Sequence, residues 1–381
     1  MDPGLLRQVP SSVQVHEAFT PEIPFQVRHK IWQLLGRRGG TAPAGQTHKQ
    51  SLVRRLIQHV LCPEPEVLWA PFAVRVARKV VRRHAIDAVM ITAPPFSAFL
   101  VGNALKREFP HLKLISDFRD EWLDFYLKDF EFQSGERTRR CAAEIERETV
   151  TLSDLIVAVT PSTLETMRRR YPELPEKKWA CVANGYDPEA FSGFQARRHN
   201  GDRMVVTHVG TAYKTASPRY YLDALDALPE EIRSRIETRF VGRVSAGEER
   251  VLESRRSPVK ILGFMPQVQA LRQIEETDYL LLTMTNDISL PGKLFEYLAT
   301  GKPILALTPG HGEVARILRE TGAGESVEHD DPAAIRRMLE AAWQRARSGD
   351  PPPEGNREAV RGYERPRLTA EYAQRIRTLW E

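Results

Sequence analysis

The sequence predicts two doubly wound α/β domains in tandem. Three observations carry this reading. From about Asp87 onward, short runs rich in β-branched and aliphatic residues alternate with longer amphipathic stretches, the pattern of βα units in a parallel sheet. The alternation lapses once, near residues 181–202, and then restarts. A chain of 381 residues is long enough for two domains that each bury a core.

The first 86 residues stand apart from that pattern. Gly- and Pro-punctuated pieces surround three basic amphipathic stretches, near 25–36, 51–61 and 68–83, which read as helices. They carry Arg28, Lys30, Arg54, Arg55, Arg75, Arg78, Lys79, Arg82 and Arg83 opposite apolar faces, a pattern suited to an anionic membrane surface or to packing on the first domain. DAVMITA (87–93) then reads as a buried strand, SAFLVGNALKREF (97–109) as a helix and LKLIS (112–116) as a strand. A long charged helix spans 136–152, DLIVAVT (154–160) is a strand, and PSTLETMRRRY (161–171) is a helix opened by proline in its first turn. Asn184-Gly185 marks the turn that divides a first domain, 1–183, from a second, 184–350.

In the second domain MVVTHVG (204–210), TRFVG (238–242), VKILGF (259–264), DYLLLTM (278–284), KPILALT (302–308) and GESVEH (324–329) read as strands separated by helical stretches. The Pro-rich patch at 350–355 is a surface linker, and 368–380 is a terminal helix whose Leu, Tyr, Ile and Trp require it to dock; together they form a tail, 351–381.

Composition excludes several classes. Acidic and basic residues nearly balance, leaving a net charge of +5, so a disordered charged tail is excluded while anionic partners are favoured. No uninterrupted apolar run reaches the roughly 18 residues a membrane-spanning helix needs. Cys62, Cys141 and Cys181 show no C-x-x-C spacing and are expected to be buried, reduced thiols of a cytoplasmic protein; the first residues lack the form of a signal peptide. There is no G-x-x-x-x-G-K-[ST], no H-E-x-x-H and no G-x-S-x-G, which argues against P-loop, zinc and serine-hydrolase chemistry.

Ligands of open α/β sheets bind beyond the carboxyl ends of the strands, so the candidate residues are those of strand-to-helix loops. In SLPGKLFEYLATGKPILAL (289–307), Pro291-Gly292 opens a helix that presents Lys293 and, three residues on, Glu296. Unpaired N–H groups, a positive dipole end and a lysine suit a diphosphate, and the glutamate can accept from a pair of sugar hydroxyls; an ordinary solvated Lys and Glu is the plainer alternative. HVGTAYKTASPR supplies Gly210, Lys214 and Arg219, and FVGR supplies Gly242 and Arg243. In the first domain SDFRDEW (116–122) follows a strand with Asp117, Arg119, Asp120 and Trp122, either a polar-substrate site or a self-neutralising network that caps the next helix. TAPPFSAFL holds Ser97, a substrate contact or a helix N-cap.

The run LPGKLFEYLATGKPILAL, with HGEVARILRETGAG, NGYDPEAF, HVGT and SDFRDEW preceded by APPFS, resembles the retaining GT-B glycosyltransferases of family 4 over roughly Val67 to Trp343. The resemblance implies two Rossmann-like domains, a C-terminal helix crossing back to the first, a nucleotide-sugar donor on the second domain and an acceptor on the first. Glu296 matches the glutamate that holds the ribose. Lys214, Arg243 and Lys293 are the implied catalytic cations at the diphosphate, with Gly210, Thr211, Gly242, Gly292 and Leu294 beside the donor. Ser97, Asp117, Arg119 and Asp120 fall on the acceptor side.

Two departures are visible: the E-x7-E pattern wants a glutamate where Ile288 stands beside Asp287, and the family's opening strand and glycine-rich loop are missing, so that either the start lies further upstream or the enzyme is degenerate. The expected function is retaining transfer of a sugar from a nucleotide diphosphate to a saccharide or lipid-linked acceptor, in the cytoplasm or at the inner membrane face. No metal, no cofactor beyond the donor and no nucleic acid is expected. A nucleotide-sugar epimerase of related fold and a catalytically inactive scaffold are the alternatives.

Overall fold

A computed structural model describes residues 9–21, 61–127, 136–197, 202–350 and 355–381 of the chain. It divides into two units: one holds Met1–Ala158, Met167–Ala180 and Leu379–Glu381, the other Val159–Thr166 and Cys181–Thr378. The helices expected at 25–36 and over most of 51–61, with Arg28, Lys30, Arg54 and Arg55, lie outside the described residues.

In the first unit helix α1 (Ala70–His84) takes Pro71 in its opening turn, where a missing N–H costs nothing, and stops at Ala85 in a left-handed conformation. Its apolar stripe, Ala70, Ala73 and Val81, is buried with Val101 and Leu105 of α2 (Ala98–Glu108) and with Leu112. Strands β1 (Ala88–Ala93), β2 (Lys113–Phe118), β3 (Leu155–Ala158) and β4 (Trp179–Cys181) form a sheet in that order, with β1–β2 and β2–β3 parallel. Helices α3 (Glu136–Leu152) and α4 (Pro161–Arg170) flank β3 in sequence.

Three expectations need correction here. Strand β2 continues past Ser116 to Phe118, so Asp117 belongs to the strand rather than to the loop after it. Strand β4 is a three-residue element too short to show any periodicity in sequence. The three cysteines are half-buried rather than buried, and the Cys62 thiol is pushed up to about 12 by burial and by its neighbour Cys141.

The second unit contains β5 (Met204–Val209), β6 (Ile236–Val241), β7 (Val259–Gly263), β8 (Tyr279–Thr283), β9 (Ile304–Leu307) and β10 (Gly324–Val327), and among its helices α6 (Glu230–Arg233), α7 (Ala246–Glu253), α8 (Gln267–Glu275) and α12 (Arg357–Arg361). They are parallel and lie in the order β7-β6-β5-β8-β9-β10, which in order along the chain is 3-2-1-4-5-6. Strands covered on both faces need apolar residues at every position, and β8 shows why. Tyr279 and Leu281 enter one core, with α5 (Arg219–Asp226) and α11 (Pro332–Ser348); Leu280 and Leu282 enter the other, with α9 (Gly292–Thr300) and α10 (Glu313–Thr321). The terminal helix α13 (Arg365–Arg377) buries no residue fully; Leu368, Tyr372 and Ile376 are half-buried, and Trp380, expected to dock, is exposed.

Candidate active site

The strand order of the second unit reverses between β5 and β8, and the crevice of such a sheet opens where it does. Strand β5 stays in register with β6 from Met204–Ile236 to Val209–Val241, but with β8 only at Val206–Tyr279 and Thr207–Leu280. Beyond Thr207 the two central strands part, and buried side chains bridge the gap. Tyr297 of α9 accepts the Val209 N–H at 2.7 Å and turns its hydroxyl toward the carbonyls of Val209 and Leu281, at 3.3 and 3.4 Å. His208 is buried, with Nδ1 3.2 Å from the Leu281 carbonyl and its ring 5.7 Å from that of Phe240. Its Nε2 lies 3.3 Å from the Lys293 amine.

Lys293 stands in the first turn of α9, where the opening N–H groups have no helical acceptor. Burial pushes its amine down to about 7, and burial together with the Lys293 charge holds the His208 imidazole well below its ordinary range. The lysine stem runs past Gly210, where a Cβ would stand 3.5 Å from Lys293 Cδ. Gly242 is more constrained still: at φ +134 a Cβ there would lie 2.3 Å from the Gly210 carbonyl oxygen. Only glycine permits that approach of the two loops.

The loops after β5, β6 and β8 are laced together by backbone hydrogen bonds. Gly210 N–H donates to Val241, Ala212 N–H to Arg243, Ser245 N–H to Ala212 and Thr285 N–H to Thr215. Three of the expected cations therefore sit on adjoining loops: Lys293 half-buried, Lys214 exposed in the turn Lys214–Ala216, and Arg243 exposed with its guanidinium 5.5 Å from the Phe264 ring. Thr211 and Gly292 are exposed at the same end of the sheet. Glu296 lies one turn into α9; partial loss of water around it raises its carboxyl and Arg365 draws it back.

Leu294, expected beside the donor, turns its side chain away from the loop surface. Its side chain is fully buried in the core and its N–H already donates to Pro291. Asp287, next to the departing Ile288, is spent on His311, 3.1 Å away, and its carbonyl accepts the Glu313 N–H. Sequence reasoning missed the polar groups of the β8–α9 loop. Asn286 Oδ1 accepts the Ser289 N–H at 2.7 Å, while Asn286 Nδ2, Ser289 Oγ and Thr283 Oγ1 are buried without a partner among the described residues. Buried polar atoms are seldom left so, and a polar ligand at the crevice would use them.

The first unit gathers the acceptor-side residues at the carboxyl ends of β1 and β2. Phe96 stacks on Trp122 with ring centroids 4.5 Å apart, joining the two loops. Asp117 is buried and takes Arg119 Nη1 at 3.1 Å, the self-neutralising pair anticipated as one reading. Asp120 is left desolvated; burial pushes it up to about 6 against the pull of Arg119. Ser97 does not cap α2 with its side chain; its N–H instead donates to the buried Glu64 carboxylate at 2.5 Å. The capping of the next turn, Trp122–Tyr126, falls to Glu121, which accepts from Asp124 and Phe125, rather than to the Asp–Arg–Asp group.

Two α/β units built on parallel strands are the architecture of the GT-B glycosyltransferases. The family model for Glycosyltransferase Family 4 matches residues 28–190, and that for Glycosyl transferases group 1 matches residues 203–345. The chain belongs to the family 4-like glycosyltransferases of GT-B fold. It is 27% identical over 100 residues to the probable glycosyltransferase WbjE of Pseudomonas aeruginosa, a match spanning 26% of this chain and 25% of that protein. Among solved structures it resembles the lipopolysaccharide outer core galactosyltransferase WaaB, with a TM-score of 0.58 at 15% identity, over 82% of this chain and 80% of that one. It also resembles Anabaena Alr3699/HepE in complex with UDP and glucose, with a TM-score of 0.58 at 16% identity, over 87% and 84% of the two chains.

Proposed function

We propose that this protein transfers a sugar, with retention, from a nucleoside-diphosphate donor held by the second unit to an acceptor hydroxyl. The observation that carries this is Lys293, a half-buried amine at a helix N-terminus against the switch point of a 3-2-1-4-5-6 sheet. That site has the charge and the N–H groups a diphosphate needs. Lys293, Lys214 and Arg243 would offset charge on the leaving diphosphate as the sugar C1–O bond breaks. The acceptor oxygen forms the new bond to C1 on the same face, and its proton passes to a departing phosphate oxygen. No protein base is then required. Glu296 would take the ribose hydroxyls, and Asn286 and Ser289 supply polar contact near the position where the family's first glutamate is replaced by Ile288.

On the acceptor side, the desolvated Asp120 would accept a hydrogen bond from an acceptor hydroxyl, with Arg119 holding Asp117. We further propose an acceptor borne at an anionic lipid surface. Arg75, Lys79, Arg82 and Arg83 are exposed on α1, and Val13, Val15 and Phe19 are exposed nearby, Phe19 being packed edge-on against Phe72 of the same helix. No helix among the described residues is long and apolar enough to cross a membrane.

Incubating the purified protein with UDP-, GDP-, ADP- and dTDP-sugars and polyprenyl-linked or oligosaccharide acceptors tests the reading. A new α-linked product from an α-linked donor supports it. Release of nucleoside diphosphate without any second substrate would instead favour an epimerase, and no turnover with retained nucleotide binding would favour a scaffold.

A further inference from the structure

We propose that His208 is a positioning residue that holds the Lys293 amine at the carboxyl end of β5, where it meets the donor's diphosphate. The inference rests on the donor reading above and extends it to a residue outside the expected ligand contacts.

An apolar strand buried on both faces gains nothing from an imidazole unless both ring nitrogens find partners. At His208 both do, at 3.2 and 3.3 Å, and these two partners suit one tautomer. The Leu281 carbonyl, 3.2 Å from Nδ1, can only accept, so Nδ1–H donates to it. Nε2 is then a bare acceptor, and what faces it at 3.3 Å is Lys293 Nζ. Protonating the ring would remove that lone pair and set two cations side by side; burial and the lysine charge oppose it and outweigh the backbone of Leu281 and Thr211, which favours it.

The parting of β5 and β8 beyond Thr207–Leu280 is what brings the Leu281 carbonyl within reach of the ring. The chain of contacts is therefore Leu281 to His208 to Lys293, running from the second central strand through the first to the helix start. One amine N–H is committed to Nε2, and two remain for phosphate oxygens. Gly210 leaves room for the stem beside it, a Cβ there lying 4.0 Å from Nζ.

The test is calorimetry with UDP, GDP, ADP and dTDP, followed by comparison of the tightest binder with its own nucleoside. His208→Leu should weaken the nucleoside diphosphate by roughly five- to tenfold and leave the nucleoside nearly unchanged. His208→Gln, whose amide can donate to Leu281 and accept from Lys293, should recover most of that loss, and His208→Asn, too short to span both, should not. In a Lys293→Met background His208→Leu should cost nothing further.

Equal losses for diphosphate and nucleoside, unchanged diphosphate affinity in His208→Leu, or an undiminished loss in the Lys293→Met background would overturn the inference. If His208→Leu does not fold, the Gln and Asn variants decide by the same comparison. Should Lys293→Met bind the diphosphate as well as the wild type, the donor reading fails and this inference with it. A weakened Lys293→Met beside an unaffected His208→Leu refutes His208 alone.

Discussion

At the scale of single residues, burial disfavours the charge of the Lys293 amine and pushes it down to about 7. A bound diphosphate favours the charged form and so raises that value. The sign follows: affinity is full below about pH 7 and declines as pH rises toward the higher pKa of the complex. At pH 8 binding should take up about one proton per diphosphate, and Lys293→Met should abolish the uptake. Calorimetry at pH 8 in two buffers of different ionisation heat measures this, and a proton-neutral wild type would speak against Lys293 at the phosphate. Glu296→Ala loses a charged acceptor worth about 1.5–3 kcal/mol, so nucleoside as well as diphosphate affinity should fall tenfold or more; an unchanged affinity in folded protein removes Glu296 from the site. Lys293 and Glu296 were legible in the sequence because a helix start and a three-residue spacing are local facts. His208 was not, because its meaning depends on Lys293, 85 residues away along the chain, and on a carbonyl of another strand.

Among elements, the site depends on two loops meeting backbone to backbone at Gly210 and Gly242. Gly242→Ala puts a methyl where the Gly210 carbonyl stands, 2.3 Å away, with φ +134 adding backbone strain. The variant should lose diphosphate binding and melt several degrees lower, whereas Gly292→Ala, with open space around it, should melt within about a degree of the wild type. A thermal-shift comparison of the two with and without ligand checks this; equal behaviour would mean the loops are not joined there. The strands were legible as β-branched runs, since strands buried on both faces leave a continuous apolar trace. What sequence left out follows from the same rule. Strand β2 runs on through Asp117 and Phe118, and the aspartate read as the start of a loop although it is buried, while β4 is too short for a period to appear. A position in a ligand-facing turn also says nothing about the side on which a given side chain falls, and that of Leu294 faces the core.

For the molecule as a whole, the alternation of strands and helices predicted two parallel sheets, yet the strand order that creates the switch point cannot be read from alternation, because every order of the same units has the same pattern. The basic stretches near the N-terminus bear on where the enzyme works. If α1 meets an anionic surface, each basic residue near it contributes about 1 kcal/mol, giving reversible attachment. Co-sedimentation with phosphatidylglycerol vesicles should occur at low salt and fade as salt is added; protein that stays in the supernatant at low salt points to an acceptor free in solution. Sugar transfer by this chain depends on the donor lying in the second unit. Hydrogen–deuterium exchange with and without the tightest-binding of UDP, GDP, ADP and dTDP tests it most directly. Protection should concentrate in residues 208–217, 240–245 and 284–298 of the second unit; protection confined to the first unit, or none with any of these nucleotides, would contradict it.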